Sequence, residues 1–199
     1  MSTRPDGTRG AYGTGRDALL DAAVRVVADR GLRNLTYRAV AQEAGVTHGL
    51  VTHYFGTREE LIGQALTYSL QMSTTVVSPE PGSGRLDVLV EGLGDLVAST
   101  PAVQAFQYEL ALEARRTPRL APELQAVYRG YREALARELA AAGLDDERLV
   151  AVVFAAIDGL VFQQVCGVND LPTDEVVATL RSLLALARAD PDGSVTARP

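Results

Sequence analysis

Hydrophobic residues recur at intervals of three and four along most of the chain, which is the spacing of one face of an α-helix. The first such stretch begins at Thr14, whose spacing from Asp17 is that of a capping box, and it stops at Gly31. Its apolar positions are Leu20, Ala23, Val24, Val27 and Ala28. No segment is convincing as a β-strand, and no internal repeat is visible. The pattern therefore predicts an all-α protein.

Two short helices are predicted to follow. Thr36 is placed to cap the first, Gly45 turns the chain, and Thr47 is placed to cap the second, which runs to about Tyr54. Together with the first helix they can close a small three-helix core. We expect that core to contain Leu20, Val24, Val27, Val40, Ala41, Ala44, Val46, Leu50 or Val51, and Phe55.

The remainder of the chain is also predicted to be helical. Thr57 and Glu60 form another capping box, which opens a long helix toward about Ser78, although the run TTVV at 74–77 could end it early. Residues 78–84 have the composition of a loop. Later helices are expected at about 85–98, 101–116, 119–142, 146–168 and 173–189, with Thr100 and Thr117 each pairing a cap with a following proline.

These elements, about nine helices, divide into two units. Residues 14–60 form an N-terminal three-helix unit of helix-turn-helix type, and residues 61–189 form a larger helical domain. The first 13 residues and the tail at 190–199 are expected to be a disordered arm and a disordered tail.

Charge is distributed unevenly between the two units. The chain carries a net charge of −6, and all of its basic residues are arginine. Residues 1–60 hold eight arginines against seven acids, a balance of +1, so residues 61–199 carry the remaining −7. The acidic charge therefore lies away from the N-terminal unit, which leaves that unit open to an acidic partner such as DNA.

Composition excludes several classes of site. A single cysteine, Cys166, rules out an internal disulfide, and two histidines with one distant cysteine do not make a metal site, so no cofactor is expected. No apolar run approaches the roughly 18 residues that span a membrane, and the N-terminus has no apolar core of a secretory signal. A cytoplasmic protein without a membrane partner is the expectation.

The third helix has a polar face that suits the major groove of DNA. Its exposed positions are expected to be His48, Gly49, Thr52 and His53. Around them, five short segments resemble the tetracycline-repressor (TetR) family of transcriptional regulators: Leu35-Thr36, Ala41 to Ala44, Gly45-Val46-Thr47, His53-Tyr54-Phe55 and Thr57-Arg58-Glu59. The specific match covers about residues 16–62. The other residues match only in the number, length and order of their helices.

The resemblance implies a set of contacts with a double-stranded DNA operator. Base or phosphate contacts are implied for Thr36, Tyr37, Arg38, Thr47, His48, Gly49, Thr52, His53, Tyr54 and Arg58. The chain departs from the family at Thr52, where a tyrosine is usual, and Tyr37 is the candidate to compensate. We hypothesise that His48 contributes to sequence specificity and His53 to affinity for the DNA backbone.

The last two predicted helices carry the apolar surface expected to form a homodimer. The helix at 146–168 is apolar nearly all round, and the last helix has a clean apolar stripe. Paired with a second copy, they would make a four-helix bundle, as the resemblance also implies. The alternative is that both stripes close the monomer core. The interface residues expected are Val153, Ile157, Leu160, Val161, Val165, Val176, Val177, Leu180, Leu183 and Leu184.

A pocket for a small-molecule effector is expected in the larger domain. The candidate lining residues are Tyr68, Met72, Phe106, Gln107, Glu109, Leu110, Glu113, Tyr128, Tyr131, Phe154, Asp158 and Phe162. Asp158 is the one carboxylate in the apolar run from 149 to 169, so it needs a partner: a ligand group, an arginine, or a helix across the dimer. The composition favours a medium-sized, partly hydrophobic ligand that is neutral or cationic.

The sequence leaves three alternative functions to compare. The first is a homodimeric repressor, released from a palindromic operator when its ligand binds. The second is an all-helical DNA-binding regulator without a small-molecule ligand, controlled by a partner protein. An enzyme is disfavoured, since the sequence shows no nucleophile–base pair, metal cluster or glycine-rich phosphate loop.

Overall fold

The computed structural model describes residues 15–77, 81–85 and 96–189. Within these ranges every regular element is helical, and residues 96–99 are helical as well. We number the α-helices α1 (Gly15–Arg30), α2 (Tyr37–Ala44), α3 (His48–Tyr54), α4 (Arg58–Val77), α5 (Pro101–Ala114), α6 (Ala121–Ala141), α7 (Glu147–Cys166) and α8 (Thr173–Ala189). Short 3-10 turns at Leu32–Asn34 and Pro118–Leu120 precede α2 and α6.

The predicted all-α fold is confirmed over the described residues, which form eight α-helices and the helical segment 96–99. The long helix α4 runs through the TTVV segment to Val77 instead of ending early. The cap at Thr14, the expected arm at 1–13 and the tail at 190–199 lie outside the described residues, as does most of the helix expected at 85–98.

Local hydrogen bonds explain where the first helices begin. The Thr36 side-chain oxygen accepts from the backbone N–H of Ala39 at 3.1 Å, as expected of an N-cap. Thr57 and Glu60 form the predicted capping box, because each side chain accepts from the other residue's backbone N–H, at 3.1 and 3.0 Å. Gly45 ends α2 with a φ of 69°, a left-handed conformation that glycine adopts at little cost.

Three predicted caps make no capping hydrogen bond. The Thr47 side chain caps nothing, although its backbone is extended as at an N-cap. Thr100 instead donates to the carbonyl oxygen of Leu96 at 2.7 Å, and Thr117 donates to the Glu113 carboxylate at 3.0 Å. In both positions the hydroxyl turns back to the preceding helix.

One apolar cluster joins the N-terminal helices to the larger domain. Helix α1 packs against α2, α4 and α5, and its buried residues include Val24 and Val27. Phe55 from the end of α3 and Phe106 from α5 are fully buried in the same cluster. The core is therefore continuous across residue 60, where the sequence suggested a division between two units.

Burial resolves one alternative in the small core and corrects one residue. Val51, and not Leu50, is the buried residue of α3. Val46 is exposed, contrary to expectation, because it lies in the turn just after Gly45 and outside both helices. Val40 and Ala41 are buried as expected.

Two smaller clusters lie in the larger domain. In the first, Leu135 and Leu139 of α6 meet Val153 of α7 and Leu184 of α8. In the second, Leu160 and Val161 of α7 meet Val177 of α8 and Leu96. These residues close the core of the single chain, so five predicted dimer-interface residues are buried within it: Val153, Leu160, Val161, Val177 and Leu184.

Helix α7 is a longer apolar segment than the sequence analysis expected anywhere in the chain. Over an 18-residue window its mean hydropathy is 2.0, so by length and composition it is apolar enough to cross a membrane. Only 17% of that window is buried in the protein. A core helix would be mostly buried, so α7 presents a broad apolar surface that the described residues of the chain do not cover.

A buried carboxylate fixes the loop at residues 81–85. Glu138 of α6 is 2% exposed, and its two oxygens accept the backbone N–H groups of Gly82 at 2.6 Å and Gly84 at 3.1 Å. Gly84 has a φ of +67°, and a Cβ at this position would lie 2.7 Å from the backbone carbon of Ala141. Only glycine fits this approach without moving the α6 backbone.

We expect Gly84→Ala to lower the free energy of unfolding by about 2–3 kcal/mol, from the left-handed backbone and the backbone collision together. Gly82→Ala is the matched control, because Gly82 also has a positive φ but meets nothing within 4 Å. Its expected loss is about 1–2 kcal/mol. Urea unfolding of the two variants measures both values. Equal losses would show that the close approach to α6 contributes nothing.

Candidate nucleic-acid interface and internal cavity

The helix pair α2–α3 presents its polar side to solvent. Val40, Ala41, Val51 and Phe55 anchor the pair to α1. The opposite side of the pair is therefore held rigidly outward. Its exposed residues are Thr36, Arg38, Thr47, His48, Gly49, Thr52, His53 and Tyr54, all of which the sequence placed at the DNA.

Side-chain contacts on α3 order part of this surface. The Thr52 hydroxyl donates to the carbonyl oxygen of His48 at 2.8 Å, so its proton is used within the helix. The His53 and Tyr54 rings meet edge to face with centroids 5.7 Å apart. At Gly49 a Cβ would meet nothing within 4 Å, so glycine is not required there by the protein's own packing. The open backbone at Gly49 permits close approach by another molecule.

Tyr37 does not present its hydroxyl to phosphate as expected. Its hydroxyl oxygen is buried and has no hydrogen-bond partner among the described residues. The ring packs against the core around α1 and lies 6.1 Å from the His48 ring. Burial, followed by the nearby carboxylates of Glu60 and Glu59, raises the pKa of Tyr37. The proposed compensation for Thr52 by Tyr37 does not fit this geometry.

Arg58 also departs from its expected place at the DNA backbone. Its Nε donates to the carbonyl oxygen of Leu35 at 3.0 Å, and its Nη2 donates to that of Leu32 at 2.6 Å. Those carbonyls lie in and just after the 3-10 turn between α1 and α2, where helical hydrogen bonding ends. The guanidinium therefore joins the start of α4 to the entrance of α2 and uses two of its donors within the protein.

A partly open cavity of about 80 Å³ lies between helices α4, α5, α6 and α7. It brings together five of the predicted pocket residues: Gln107, Tyr128, Tyr131, Phe154 and Asp158. The other lining residues are Ser73, Thr74, Leu96, Gln104, Tyr108, Ala134, Leu135, Ile157 and Val161. Gln104, Gln107 and Tyr108 have the i, i+3, i+4 spacing of one helical face, and that spacing could have identified Gln104 and Tyr108.

Buried hydrogen bonds tie the cavity wall of α4 to α5. The Gln104 side-chain amide donates to the Ser73 hydroxyl at 2.9 Å, and that of Gln107 donates to the Ser69 hydroxyl at 2.9 Å. The Tyr131 hydroxyl of α6 donates to Gln107 Oε1 at 2.9 Å. Burial raises the pKa of Tyr131 despite hydrogen bonds that lower it. The wall therefore depends on neutral polar pairs.

Asp158 has a partner, as expected, but the partner is a tyrosine. The Tyr108 hydroxyl lies 3.0 Å from Asp158 Oδ1 and 2.9 Å from the carbonyl oxygen of the same residue. Burial raises the pKa of Asp158, and the hydrogen bond from Tyr108 opposes that rise. None of the three expected partners is needed to account for this contact.

The other predicted pocket residues lie elsewhere. Phe106 and Leu110 belong to the core around α1, and Tyr68 and Met72 pack against that core. Helix α5 crosses α1, so its larger apolar residues turn to α1 and away from the cavity. This correction separates the face of α5 that contacts α1 from the face that lines the cavity.

Three more of the predicted residues are also outside the cavity wall. Glu109 is exposed, and the Glu113 carboxylate accepts hydrogen bonds from Thr117 and Arg116. Phe162 is 43% exposed, and its ring meets the Tyr108 ring edge to face at 5.1 Å. It therefore touches a cavity residue from the outer side.

Helices α7 and α8 carry an exposed apolar surface. It lies beside the stripe of residues that the sequence predicted for the dimer interface. Val152, Leu183 and Leu186 are 66%, 57% and 67% exposed. Ala155, Ala156 and Gly159 lie between the larger residues of α7. We call this surface the α7–α8 face and define it as Val152, Ala155, Ala156, Gly159, Phe162, Leu183 and Leu186. Of the predicted interface residues it contains Leu183.

Two family models match this chain. A model for bacterial regulatory proteins of the tetR family matches residues 19–65, which contain α2 and α3. A model for the tetracyclin repressor-like C-terminal domain matches residues 84–186, more than half of the chain. The chain belongs to the TetR family. It is therefore a transcriptional regulator with a helix-turn-helix DNA-binding unit, and not an enzyme.

Individual relatives agree over nearly the whole chain. The HTH-type transcriptional repressor Rv3405c of Mycobacterium tuberculosis is 27% identical over 189 residues, which are 93% of this chain and 97% of the repressor. A TetR-family regulator from Rhodococcus sp. superposes with a TM-score of 0.73 at 23% identity, covering 86% of this chain and 97% of that one. The multidrug binding protein EbrR, complexed with proflavin, has a TM-score of 0.59 at 28% identity, covering 87% and 99%.

The position of Arg58 in this TetR-family chain can be tested by stability. We expect Arg58→Met, which keeps the apolar stem, to lower the free energy of unfolding by about 1–3 kcal/mol because two carbonyl acceptors lose their donor. Arg38→Met is the matched control, since Arg38 is exposed, and its expected change is within about 0.5 kcal/mol. Urea unfolding measures both variants. If Arg58→Met leaves the stability unchanged and reduces the salt dependence of DNA binding, Arg58 contacts phosphate as the sequence implied.

Proposed function

We propose that this TetR-family regulator is a homodimeric repressor that leaves a palindromic operator when a small, partly hydrophobic effector binds its cavity. The observation that carries the proposal is the position of α4. Its C-terminal half supplies Ser73 and Thr74 to the cavity wall, and its first turn is attached through Arg58 to the backbone just before α2. One helix therefore touches both the effector site and the DNA-binding unit.

The hydrogen bonds beside the cavity give the effector a means to move α4. Ser73 and Ser69 accept from Gln104 and Gln107, so these bonds set how α4 lies on α5. A ligand that competes for either amide changes that position. Thr67 and Thr74 donate to carbonyl oxygens four residues earlier, a bonding pattern that helps a helix bend. Ligand and operator affinities are then coupled, and the coupling is reciprocal.

The exposed side of α3 supports operator recognition. His48 and Gly49 stand at the start of the helix, where a recognition helix meets base edges, and His53 lies further along. Neutral histidine can donate or accept at a base edge. The acidic balance of residues 61–199 keeps negative charge mostly outside this unit.

The α7–α8 face supports a homodimer. TetR-family regulators bind DNA operators and typically form dimers. The face combines exposed Val152, Leu183 and Leu186 with the small residues of α7, so the helices of a second copy can approach closely. A two-fold dimer places two α3 helices on successive half-sites, which raises affinity without any new contact within one half-site. Such a regulator acts in the cytoplasm, where its operator is.

The comparison with EbrR supports a small-molecule effector. EbrR, a multidrug binding protein, has been crystallised with proflavin and with imidazole. The cavity here is enclosed by the corresponding kind of helical domain, and its lining combines aromatic rings with a few polar groups.

Operator recognition is tested with two histidine variants. The operator is first selected from the genomic DNA of the source organism, and binding is then measured by fluorescence anisotropy on matched and mismatched duplexes. We expect His48→Ala to reduce the preference for the matched duplex about tenfold, since one base contact contributes about 1–3 kcal/mol. His53→Ala is expected to weaken both duplexes equally. A uniform loss in His48→Ala would refute its specificity role, and no sequence preference in the unaltered protein would refute operator recognition.

The dimer is tested by placing a charge on the α7–α8 face. We expect Leu183→Glu to convert the protein from dimer to monomer in sedimentation velocity at micromolar concentration, because the dimer would bury an unpaired charge in an apolar surface. Val46→Glu is the matched control, since Val46 is 37% exposed in the turn between α2 and α3, outside the larger domain. It should remain a dimer. An unaltered protein that sediments as a monomer would contradict the homodimer and favour control of this surface by a partner protein.

A further inference from the structure

The cavity holds a single charged side chain. Among its lining residues that the structure describes, Asp158 carries a carboxylate and no arginine or histidine is present. The carboxylate accepts one hydrogen bond from a described residue, the Tyr108 hydroxyl at 3.0 Å. A hydrogen bond from a neutral group offsets only part of the cost of burying a negative charge. On the part of the wall that the structure describes, this negative charge therefore has no cation to balance it.

Aromatic rings surround that carboxylate. Tyr108 comes from α5, Tyr128 and Tyr131 come from α6, and Phe154 precedes Asp158 by one turn of α7. The Tyr128 and Phe154 rings meet edge to face with centroids 5.8 Å apart. The faces of such rings attract cations, and the attraction strengthens where water is excluded.

Arg132 shows that one of these rings already accepts a cation. Its guanidinium carbon lies 5.6 Å from the centroid of the Phe154 ring. Arg132 is exposed and is not among the residues that line the cavity. It therefore contributes to the outside of the aromatic wall and leaves the Asp158 carboxylate without an ion-pair partner among the described residues.

We propose that the effector is a compact organic cation, a quaternary or alkylated ammonium, whose charge lies against Asp158 among Tyr108, Tyr128, Tyr131 and Phe154. This inference rests on the proposed function, because it names the chemical class of the ligand for the same cavity. A cation neutralises the carboxylate and gains the ring faces. An anion would be repelled by Asp158, and an uncharged ligand would leave this half-buried charge uncompensated.

Polar groups on the wall narrow the class further. The cavity is partly open to solvent and accommodates a small ammonium group with a short substituent. The Gln104 and Gln107 side-chain amides and the Ser73 hydroxyl lie in the α4–α5 part of the wall. A hydroxyl or carbonyl on the short substituent can hydrogen-bond there. That contact would place the ligand against the hydrogen bonds that hold α4.

The proposal predicts how binding depends on pH. Burial raises the pKa of Asp158, so the carboxylate gains its proton, and the cation is lost, as the pH falls through that raised pKa. The groups that face Asp158 are Tyr108, Tyr128 and Tyr131, and burial raises the pKa of each, to about 12 for Tyr128. The described lining residues from α4 and the 96–99 segment do not titrate, and α8 contributes none. Among the lining residues that the structure describes, Asp158 is then the carboxylate whose charge a fall in pH removes.

The test compares a cation with its uncharged isostere. Isothermal titration of the full chain, without DNA, uses choline and 3,3-dimethylbutan-1-ol, in which a carbon replaces the quaternary nitrogen. We expect choline to bind at least tenfold more tightly, with an affinity that falls toward acidic pH. In Asp158→Asn the preference should fall to the part that the ring faces supply, and its pH dependence should disappear. Glu109→Gln, which removes an exposed carboxylate from α5, is the matched control and should bind as the unaltered protein does.

A second variant keeps the test decisive if Asp158→Asn folds poorly. Tyr108→Phe retains the carboxylate and the ring but removes the hydrogen bond that lowers the pKa of Asp158. The loss of choline should then begin at a higher pH than in the unaltered protein. Equal affinity for the two compounds, no binding of either at millimolar concentration, or an unchanged preference in Asp158→Asn each overturns the cation proposal.

Operator binding separates this proposal from the proposed function. A protein that binds its operator specifically but shows no preference for choline contradicts the cation class alone. If the protein binds choline through Asp158 but still binds its operator at saturating choline, release by the effector is contradicted. The proposed cation site is then unaffected.

Discussion

The burial of α1 against α2, α4 and α5 is the constraint on which the rest of the molecule depends. It places one continuous apolar core beneath the DNA-binding helices and beneath the first part of the larger domain. A close-packed core transmits displacement because it cannot be compressed locally. The DNA-binding unit therefore does not hang on a flexible linker. Its orientation follows the helices that enclose α1.

Helix α4 is the element through which the proposed effector acts on this core. Its beginning is fixed by local hydrogen bonds at Thr57, Glu60 and Arg58, and its far half is fixed by Ser69 and Ser73 against two glutamines. The two ends differ in kind. The first end is held by a capping box and by arginine bonds to backbone carbonyls. The second end is held by hydrogen bonds between neutral side chains, in which a polar ligand can take the place of one partner.

The features that could be predicted from the sequence are mostly local. The caps at Thr36 and Thr57 depend on residues three positions away, and both were recognisable from spacing alone. The apolar stripes of α7 could not be assigned in this way, because a helix that is apolar nearly all round does not show which side its own chain covers. The roles of Arg58 and Tyr108 depend on partners 23 to 50 residues away, and spacing along one helix carries no information about those partners.

The ring contact between Tyr108 and Phe162 has a consequence for a dimeric form of this protein. The Tyr108 hydroxyl holds a carboxylate inside the cavity, while the edge of its ring meets Phe162 on the outer surface of α7. If that surface carries a second copy, a ligand that displaces Tyr108 also disturbs the contact between subunits. Occupancy of one cavity would then alter the affinity of the other, and the response to effector concentration would depart from a simple hyperbola.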